Sequence, residues 1–376
     1  MQTRRRPLML ASMLLGALSL IGCSGCSKKS DPPSGQVPES SAKSAAPADP
    51  GELNLLIFPD YIDEKIVKAF EEQTKARVRL TRYDSTEEME SKLAYAGADS
   101  QYDVVIMASQ VLPRMVRRGL VGALDHAKIP NLKNLEARFS GPGFDDGNKH
   151  GVPYQWGTVG VVYNKKKLPN LEPSWSMLLD PQKLAGTFVL LDEQRDMLGA
   201  VLKYKGFSSN TSKESEIREA GRVLKEVKKQ AKCLGFKGGV GALEDVKAGS
   251  VDMAVVWNGD AQKAIQADKE RLAFVIPKEG SVIWVDVMTI AAKAPNPELA
   301  HKFINHVLTP EGGAQLSMYT KYASPNAAAQ QKLPDEDRTN TLIYPTKEVS
   351  DRLEHHRDLG EAARVFDEVW TDVKSQ

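Results

Sequence analysis

Two kinds of apolar segment alternate along the chain from residue 51 onward. Short continuous runs, such as LNLLIF (53–58) and YDVVIM (102–107), predict buried strands. Between these runs, residues 62–75 carry apolar side chains at helical spacing, and a second helical pattern follows Ser85 or Thr86, either of which can cap a helix. The order strand, helix, strand, helix, strand predicts an α/β fold with a mainly parallel sheet and helices on both faces.

A second alternating unit follows the first. Its strands and helices are predicted in TFVLLD (187–192), DMLGAVLKYKG (196–206), SEIREAGRVLKEVKKQ (215–230), ALEDVKAG (242–249) and DMAVVWNG (252–259). Two long segments connect the units. Residues 150–166, with a predicted turn at Gln155–Trp156 and a predicted strand from Thr158 to Tyr163, are interpreted as a crossing from one unit to the other. The segment VIWVDVMTIAA (282–292) is interpreted as a crossing back.

A chain that crosses twice forms two discontinuous lobes with a cleft between them. We expect lobe 1 to comprise residues 51–157 and 286–323. We expect lobe 2 to comprise residues 158–285 and 324–376.

Asp286 is a carboxylate in the middle of an otherwise apolar strand, VIWVDVMT (282–289). Because strand side chains alternate between faces, Trp284 and Asp286 are predicted to project from the same side. A buried carboxylate without a partner is costly in free energy. Its partner could be an arginine or a backbone donor of this chain, or a cation that arrives from solution.

Residues 1–22 are typical of an export signal. A head of three arginines precedes an apolar run that is short for a transmembrane helix. The run ends in LIGC (20–23), which favours a bacterial lipoprotein signal cleaved before Cys23, with a lipid on that cysteine; an ordinary signal peptide with an incidental cysteine is the alternative. Residues 23–50, rich in Ser, Pro, Ala and Gly, predict a disordered tether. The body is therefore expected outside the cytoplasm, anchored to a membrane by lipid at Cys23.

Composition narrows the function classes. The formal net charge of +1 gives no indication of nucleic-acid binding. Besides Cys23, only Cys26 and Cys233 are present, and Cys26 lies in the tether, so we expect no disulfide framework. The histidines have no spacing typical of a metal site except the adjacent His355 and His356, and neighbouring residues rarely share a metal. We therefore expect neither a metal nor a cofactor.

Aromatic and acidic side chains recur where the predicted strands end. In open α/β sheets, ligands bind at the carboxyl ends of the strands, so these side chains should face the cleft. Carboxylates hold ammonium groups by charge-assisted hydrogen bonds, and aromatic faces attract the same cations, worth about 0.5–2 kcal/mol per contact. The pattern predicts a site for a small organic polycation. The candidate residues are Phe58, Asp60, Tyr61, Ala108, Ser109, Gln110, Asp192, Glu193, Arg195, Asp196, Trp257, Trp284, Asp286 and Tyr322.

Taken one at a time, several of these candidates can also be explained by a structural role without any contact with a ligand. Tyr61 or Tyr322 can serve as packing residues. Asp60 can favour the start of a helix near Ile62. Arg195, next to two acidic residues, can neutralise them in a structural ion-pair group.

The same residues are compatible with other functions. The fold could bind another organic cation, a metal or an anion, although acidic strand ends disfavour an anion. A hydrolase with Glu193 and Asp286 as acid and base is disfavoured, because the sequence has no nucleophile elbow, phosphate loop or zinc motif. A receptor that senses its ligand without transporting it stays open.

Several segments carry a resemblance to a known family. The most specific are YDVVIMAS, GVPYQWGT, VVWNGDA, PKEGSVIWVDVMTIAAKAPNPELAHKFINHVLTPE and KYASPNAAAQ. With these, the chain from about Leu53 to Gly360 resembles the spermidine/putrescine-binding proteins of bacterial ABC importers. The resemblance implies the two-lobed fold of periplasmic binding proteins, with a double-crossover hinge that closes on the ligand. It also implies a monomer that delivers a polyamine to a membrane permease and performs no catalysis.

The resemblance assigns roles to positions of this chain. It places the amine-binding carboxylates at Asp60, Glu193, Asp196 and Asp286, and the aromatic contacts at Tyr61, Trp257, Trp284 and Tyr322. Relative to the better-known members, Glu193 and Asp196 exchange the two acidic residue types, which keeps the charge and changes the reach. The chain departs from the family at Phe58 (commonly Trp), Ala108 (commonly Ser), Gln110 (commonly Tyr) and His356 (commonly Gln). These departures leave open whether putrescine, spermidine or another amine is preferred.

Overall fold

The structure is a computed structural model that describes residues 51–95, 101–141 and 143–375. The predicted signal peptide (1–22), the lipidation site Cys23 and the tether (23–50) lie outside these residues. Within the described ranges, no helix combines the length and the apolar character that crossing a bilayer requires.

Ten strands of the described residues form one sheet. They are β1 (Glu52–Ile57), β2 (Arg77–Arg82), β3 (Val104–Ala108), β4 (Gly151–Asn164), β5 (Phe188–Leu191), β6 (Cys233–Lys237), β7 (Met253–Trp257), β8 (Leu272–Val275), β9 (Val282–Ile290) and β10 (Glu354–His355). The order is β2-β1-β3-β9-β4-β7-β5-β6, with β10 beside β9 and β8 beside β4. β1 lies parallel to β2 and β3, and β5 lies parallel to β6 and β7. The antiparallel pair β4 and β9 joins these two parallel groups.

The described residues also form helices, which flank the sheet. The α-helices are α1 (Glu64–Thr74), α2 (Thr86–Tyr95), α3 (Leu112–Arg117), α4 (Ser176–Leu179), α5 (Gln194–Tyr204), α6 (Glu214–Lys228), α7 (Gly239–Ala248), α8 (Asn258–Ala267), α9 (Pro297–Val307), α10 (Pro310–Thr320), α11 (Ala327–Gln330), α12 (Asp335–Arg338), α13 (Lys347–Ser350) and α14 (Ala363–Ser375). Short 3₁₀ helices span His126–Lys128, Pro130–Asn134, Ala137–Phe139, Asp146–Asn148 and Gly360–Ala362.

Both faces of the parallel sheet are buried, as the continuous apolar runs predict. In β3, Val104 and Ile106 belong to one core cluster, whereas Val105 and Met107 belong to another. All four side chains are fully buried. Burial on both faces is what helices above and below a parallel sheet produce, so the predicted layering is confirmed.

The first two helices begin at polar caps. α1 begins at Glu64, because the Oδ1 atom of Asp63 accepts a 2.9 Å hydrogen bond from the backbone N–H of Lys65. The interpretation of Asp60 as the start of this helix is therefore wrong. At α2, the predicted cap is confirmed: Oγ of Ser85 accepts a 3.2 Å hydrogen bond from the N–H of Glu88.

The first crossing is one continuous strand. β4 extends over 14 residues, so the turn predicted at Gln155–Trp156 is wrong. The polar Gln155 suggested a break, but the strand passes this point with a register shift between Pro153 and Gln155, which is the mark of a β-bulge. Beyond the bulge, Gln155 lies opposite Asp286 on β9.

Candidate functional site

Four side chains from distant parts of the sequence converge where β9 passes through the middle of the sheet. Tyr61 follows β1, and Trp284 and Asp286 lie on β9. Tyr322 follows α10. All four residues are buried, with no more than 7% of their surface exposed, and we call them the Asp286 cluster.

Asp286 has a hydrogen-bond donor but no cationic partner among the described residues. Its Oδ2 atom accepts a 2.8 Å hydrogen bond from the hydroxyl of Tyr61. Burial raises the pKa of Asp286 to about 7, the Tyr61 bond lowers this pKa, and the charge of Asp196 raises it further. Within the described residues, the charge of Asp286 is therefore only partly compensated, by the neutral hydroxyl of Tyr61.

Aromatic rings surround this carboxylate in edge-to-face contacts. The ring of Tyr322 lies 4.8 Å from that of Trp284 and 5.8 Å from that of Tyr61, measured between centroids. The rings of Phe58 and Tyr61 are nearly perpendicular, with 5.9 Å between their centroids. The hydroxyl of Tyr154, a residue that the sequence interpretation missed, donates a 2.6 Å hydrogen bond to the carbonyl of Tyr61. The rings therefore form an apolar lining whose orientation is fixed by packing and by hydrogen bonds.

Two glycines leave room for these rings. A Cβ atom on Gly157 would lie 2.4 Å from the Trp284 ring, and one on Gly259 would lie 2.5 Å from the Tyr322 ring. Such distances are too short for any side chain, so each glycine is required for the ring next to it. Both residues occur in the quoted segments GVPYQWGT and VVWNGDA, but only the structure reveals which ring each one accommodates.

A second group of residues, the Asp196 cluster, consists of Arg195, Asp196, Trp257 and His356. The Nε1 atom of Trp257 donates a 2.7 Å hydrogen bond to Oδ2 of Asp196, and Nε2 of His356 lies 2.8 Å from Oδ1. Burial lowers the pKa of His356, and the bond to Asp196 only partly offsets this effect. The structure thus places His356 beside the predicted site, and its contact with a ligand stays a prediction.

Arg195 does not form the ion pair that one interpretation gave it. Its guanidinium donates to the carbonyl of Arg357 at 3.1 Å and to the side-chain oxygen of Asn210 at 3.1 Å. It also lies over the ring of Phe366, 5.3 Å from the centroid. Neither Glu193 nor Asp196 is within salt-bridge distance of it in the described residues. The acidic residues are therefore not neutralised by direct contact with Arg195.

Glu193 lines a cavity of about 400 Å³ together with Arg195 of the Asp196 cluster. The side chain is half-buried, and none of the described residues donates a hydrogen bond to it. Burial raises its pKa well above the usual value, and the charge of Asp196 adds to this. Gln110 lines the same cavity, and its Oε1 atom is buried without a partner in the described chain. The cavity therefore presents acceptors that a donor-bearing ligand could satisfy.

The remaining predicted residues take varied positions. Asp60 is exposed, with a left-handed φ of 51°, and is not part of the buried clusters. Asp192 is exposed and forms a 2.6 Å ion pair with Lys374. Ala108 lies directly opposite Asp286 in the β3–β9 pair, and the backbone N–H of the adjacent Ser109 donates to Val285.

The arrangement favours binding over catalysis. Buried carboxylates and ring faces suit a cation that donates hydrogen bonds. No group of histidine, cysteine and acidic side chains in residues 51–95, 101–141 and 143–375 has the geometry of a metal site. Burial penalises the charged forms of Asp286 and Glu193, a cost that an arriving cation would relieve.

Known proteins are similar to this chain in sequence. A family model described as bacterial extracellular solute-binding protein matches residues 65–342. The putrescine/cadaverine-binding protein of Pseudomonas aeruginosa is 32% identical over 336 residues, covering 86% of this chain and 93% of the relative. The spermidine/putrescine-binding periplasmic protein of Escherichia coli is 30% identical over 336 residues, covering 88% and 94%.

Solved structures agree with the sequence comparison. The spermidine/putrescine ABC transporter substrate-binding protein of Streptococcus pneumoniae aligns with a TM-score of 0.72 at 28% identity, covering 86% of this chain and 99% of that protein. The Tp0655 lipoprotein of Treponema pallidum aligns with a TM-score of 0.76 at 26% identity, covering 86% and 100%. The predicted fold, the resemblance and the prediction of a binding protein rather than an enzyme are confirmed. Since the family model spans well over half of the sequence, the chain belongs to the bacterial extracellular solute-binding protein family.

Proposed function

We propose that this protein captures a polyamine, putrescine or spermidine, between its two parallel strand groups and delivers it to an ABC permease. One observation carries the proposal: the buried Asp286 accepts a hydrogen bond from Tyr61 and has no cationic partner among the described residues. A protonated amine supplies both the missing positive charge and N–H donors.

The rings beside Asp286 favour an amine over a metal ion. Tyr61, Trp284 and Tyr322 offer apolar faces that attract ammonium groups and pack on methylenes. A metal would instead require several oxygen or nitrogen ligands in one place. The names of the relatives from Pseudomonas aeruginosa and Escherichia coli, which mention putrescine, cadaverine and spermidine, support the same ligand class.

Ligand binding by two lobes that close on each other is part of the proposal. We place the lobes at 51–157 plus 286–323 and at 158–285 plus 324–376. The ion pair between Arg117 on α3 and Asp358 after β10, at 2.9 Å, supports a closed arrangement because it joins these two parts.

Calorimetric titration tests the ligand class. The purified protein would be unfolded and refolded to remove bound ligand, then titrated with putrescine, cadaverine, spermidine and arginine. We expect heat with at least one polyamine and weaker or no binding of arginine. No binding of any amine by refolded protein with native circular dichroism would overturn the proposal.

We also propose that a lipid on Cys23 anchors the protein outside the cytoplasm. The LIGC motif supports this anchor, and the family described as extracellular supports the location. Labelled fatty acid should be incorporated into the wild-type protein in bacterial cells and not into Cys23→Ser. Equal labelling of both proteins would exclude Cys23 as the anchor.

A further inference from the structure

The two ends of the strand order present different side chains to solvent. At one end, the exposed side chains of β2 include Arg77, Arg79 and Arg82. At the other end, the side chain of Leu234 on β6 is 53% exposed. Val240, in the first turn of α7 directly after β6, is 50% exposed. Since an exposed apolar side chain on an edge strand invites association, the β6 edge indicates a contact surface.

The backbone of β6 is unsuited to pairing with a further strand. β6 advances three residues, from Cys233 to Phe236, where its neighbour β5 advances only two. The extra residue makes a β-bulge, and Gly235 within it has a φ of 93°, in the left-handed region. A bulge on an edge strand disrupts the row of backbone donors and acceptors that an added strand would need. The exposed Leu234 therefore suits a partner that is not a β-strand.

Lysine side chains accompany this apolar edge. Six of them lie on β6, at the end of α6, in the segment that follows α6, and on α14: Lys225, Lys228, Lys229, Lys232, Lys237 and Lys374. Four of the six form ion pairs with acidic side chains. Lys228 and Lys232 instead donate to backbone carbonyls, at 2.7 and 2.8 Å, and have no acidic partner among the described residues. Six lysines against four acidic partners leave an excess of positive charge here.

Two aromatic rings connect β6 with α6 and α14. The rings of Phe236 and Trp370 meet edge to face, with 5.1 Å between their centroids. Nζ of Lys374 lies 5.0 Å from the centroid of Phe236 and 5.8 Å from that of Trp370. Nζ of Lys228 lies 5.8 Å from the Phe236 centroid. Both rings are half-buried, and such rings beside lysines are typical of surfaces that lie at a membrane–water interface.

We propose that the β6 surface, formed by these six lysines with Leu234, Phe236, Val240 and Trp370, docks on an anionic lipid membrane. The apolar side chains enter the headgroup region, and the lysines lie against lipid phosphates. A second copy of the chain fits this surface less well, because two such edges would bring like charges together. The proposed lipid anchor would hold the protein next to a membrane, where a contact of low intrinsic affinity is sufficient.

Sedimentation with lipid vesicles tests the docking. The full chain carrying Cys23→Ser, which lacks the proposed lipidation site, is mixed with vesicles of phosphatidylcholine alone or with equal parts of phosphatidylcholine and phosphatidylglycerol. We expect the anionic vesicles to bind the protein about tenfold or more tightly at low salt. High salt should remove most of this preference, since exposed lysines are screened. Equal binding to both kinds of vesicle at low salt would overturn the inference.

Variants assign the binding to the β6 surface. Lys232→Glu should weaken binding to anionic vesicles about fivefold or more. Leu234→Ser should also weaken it, because the apolar side chain that enters the headgroup region is lost. Lys302→Glu, the same charge change at an exposed position of α9, is the matched control and should bind as the parent protein does. Residues 1–50 differ in none of these variants, so their own contribution to vesicle binding is common to all of them.

Two results would contradict this assignment. One is unchanged vesicle binding by Lys232→Glu and Leu234→Ser proteins that have native circular dichroism. The other is a dimer, detected by analytical ultracentrifugation without lipid, that Leu234→Ser dissociates, because the β6 edge would then bind a second copy of the chain. Neither result bears on amine binding, which the calorimetric titration tests separately.

Discussion

The hydroxyl of Tyr61 donates a 2.8 Å hydrogen bond to the carboxylate of Asp286, which lies 225 positions further along the chain. The bond joins the end of β1 to the middle of β9. It stabilises the carboxylate but adds no positive charge. Above about pH 7, a buried negative charge therefore remains in the unliganded protein, where a cationic ligand can compensate it.

Replacing Asp286 with Asn should abolish most amine binding. The amide keeps an oxygen for the Tyr61 hydroxyl but removes the charge that pairs with an ammonium. We expect a loss of about 2–5 kcal/mol in binding free energy, measured by calorimetry with putrescine. Asp192→Asn is the control, because Asp192 is exposed and paired with Lys374, and its binding should equal wild type.

The same substitution should stabilise the unliganded protein at pH 8. Burial raises the folded-state pKa of Asp286 to about 7, well above its unfolded value. The folded protein therefore holds this proton more tightly, and stability falls as pH rises from about 4 to about 7. Removing the titrating group should add about 1–4 kcal/mol at pH 8, measured by urea unfolding of ligand-free protein. A less stable Asp286→Asn protein at pH 8 would show that the carboxylate is compensated internally.

Amine affinity should increase with pH between 6 and 8. An ammonium binds the ionised form of Asp286, so below about pH 7 a proton must leave before the ligand pairs with it. Burial lowers the pKa of His356, which favours the neutral form of its ring. Titrations in buffers of different ionisation enthalpy should detect proton release near pH 7. Constant affinity and no proton release from pH 6 to pH 8 would be incompatible with this assignment.

Trp257 should contribute to amine binding through its ring as well as through its N–H group. Trp257→Ala removes the aromatic face and should weaken amine binding by about 1–2 kcal/mol. Trp257→Phe retains a face but leaves Oδ2 of Asp196 without its 2.7 Å donor, so its loss should be smaller. Calorimetry on both variants distinguishes the two contributions. Greater loss in Trp257→Phe than in Trp257→Ala would contradict a ring contact with the ligand.

Gly259 should tolerate no side chain. A Cβ there would lie 2.5 Å from the Tyr322 ring, so Gly259→Ala must displace that ring. Overpacking of this kind costs about 1–3 kcal/mol of stability, and the misplaced ring should also weaken amine binding. Gly241→Ala is the matched control, because a Cβ at that helical position comes no closer than 4.0 Å to its nearest neighbour, Lys237. Equal unfolding midpoints for the two variants would contradict the close approach.

The Arg117–Asp358 ion pair should add a small, salt-dependent contribution to closure. Arg117 is exposed and Asp358 is half-buried, so the pair should contribute about 0.2–1 kcal/mol. Arg117→Ala should therefore accelerate ligand dissociation only a few-fold, measured by stopped flow, and the difference should vanish at high salt. Lys68→Ala, which removes an exposed pair within α1, should leave dissociation unchanged.

Local patterns in the sequence were sufficient to predict most of the central strands. The continuous apolar runs predicted β1, β3, β5, β7 and β9, because strands buried on both faces need apolar side chains throughout. They did not predict β6, which lies at the sheet edge with half-buried side chains, or β10, which is only two residues long. The polar Gln155 suggested a turn because the partner of its amide lies far away in the sequence: Nε2 donates a 2.6 Å hydrogen bond to Oγ1 of Thr320.

The amino-acid sequence is enough to predict the fold class, a carboxylate and an indole on one face of β9, and the resemblance to polyamine-binding proteins. Each of these depends on local periodicity or on contiguous segments. Which acidic side chains are available to a ligand depends on the folded structure. Asp60 is exposed, and Asp196 is engaged by Trp257 and His356. Asp286 has no cationic partner among the residues that the structure describes. Those outcomes depend on partners far apart in the chain, because a carboxylate's availability is set by the donors that folding brings to it.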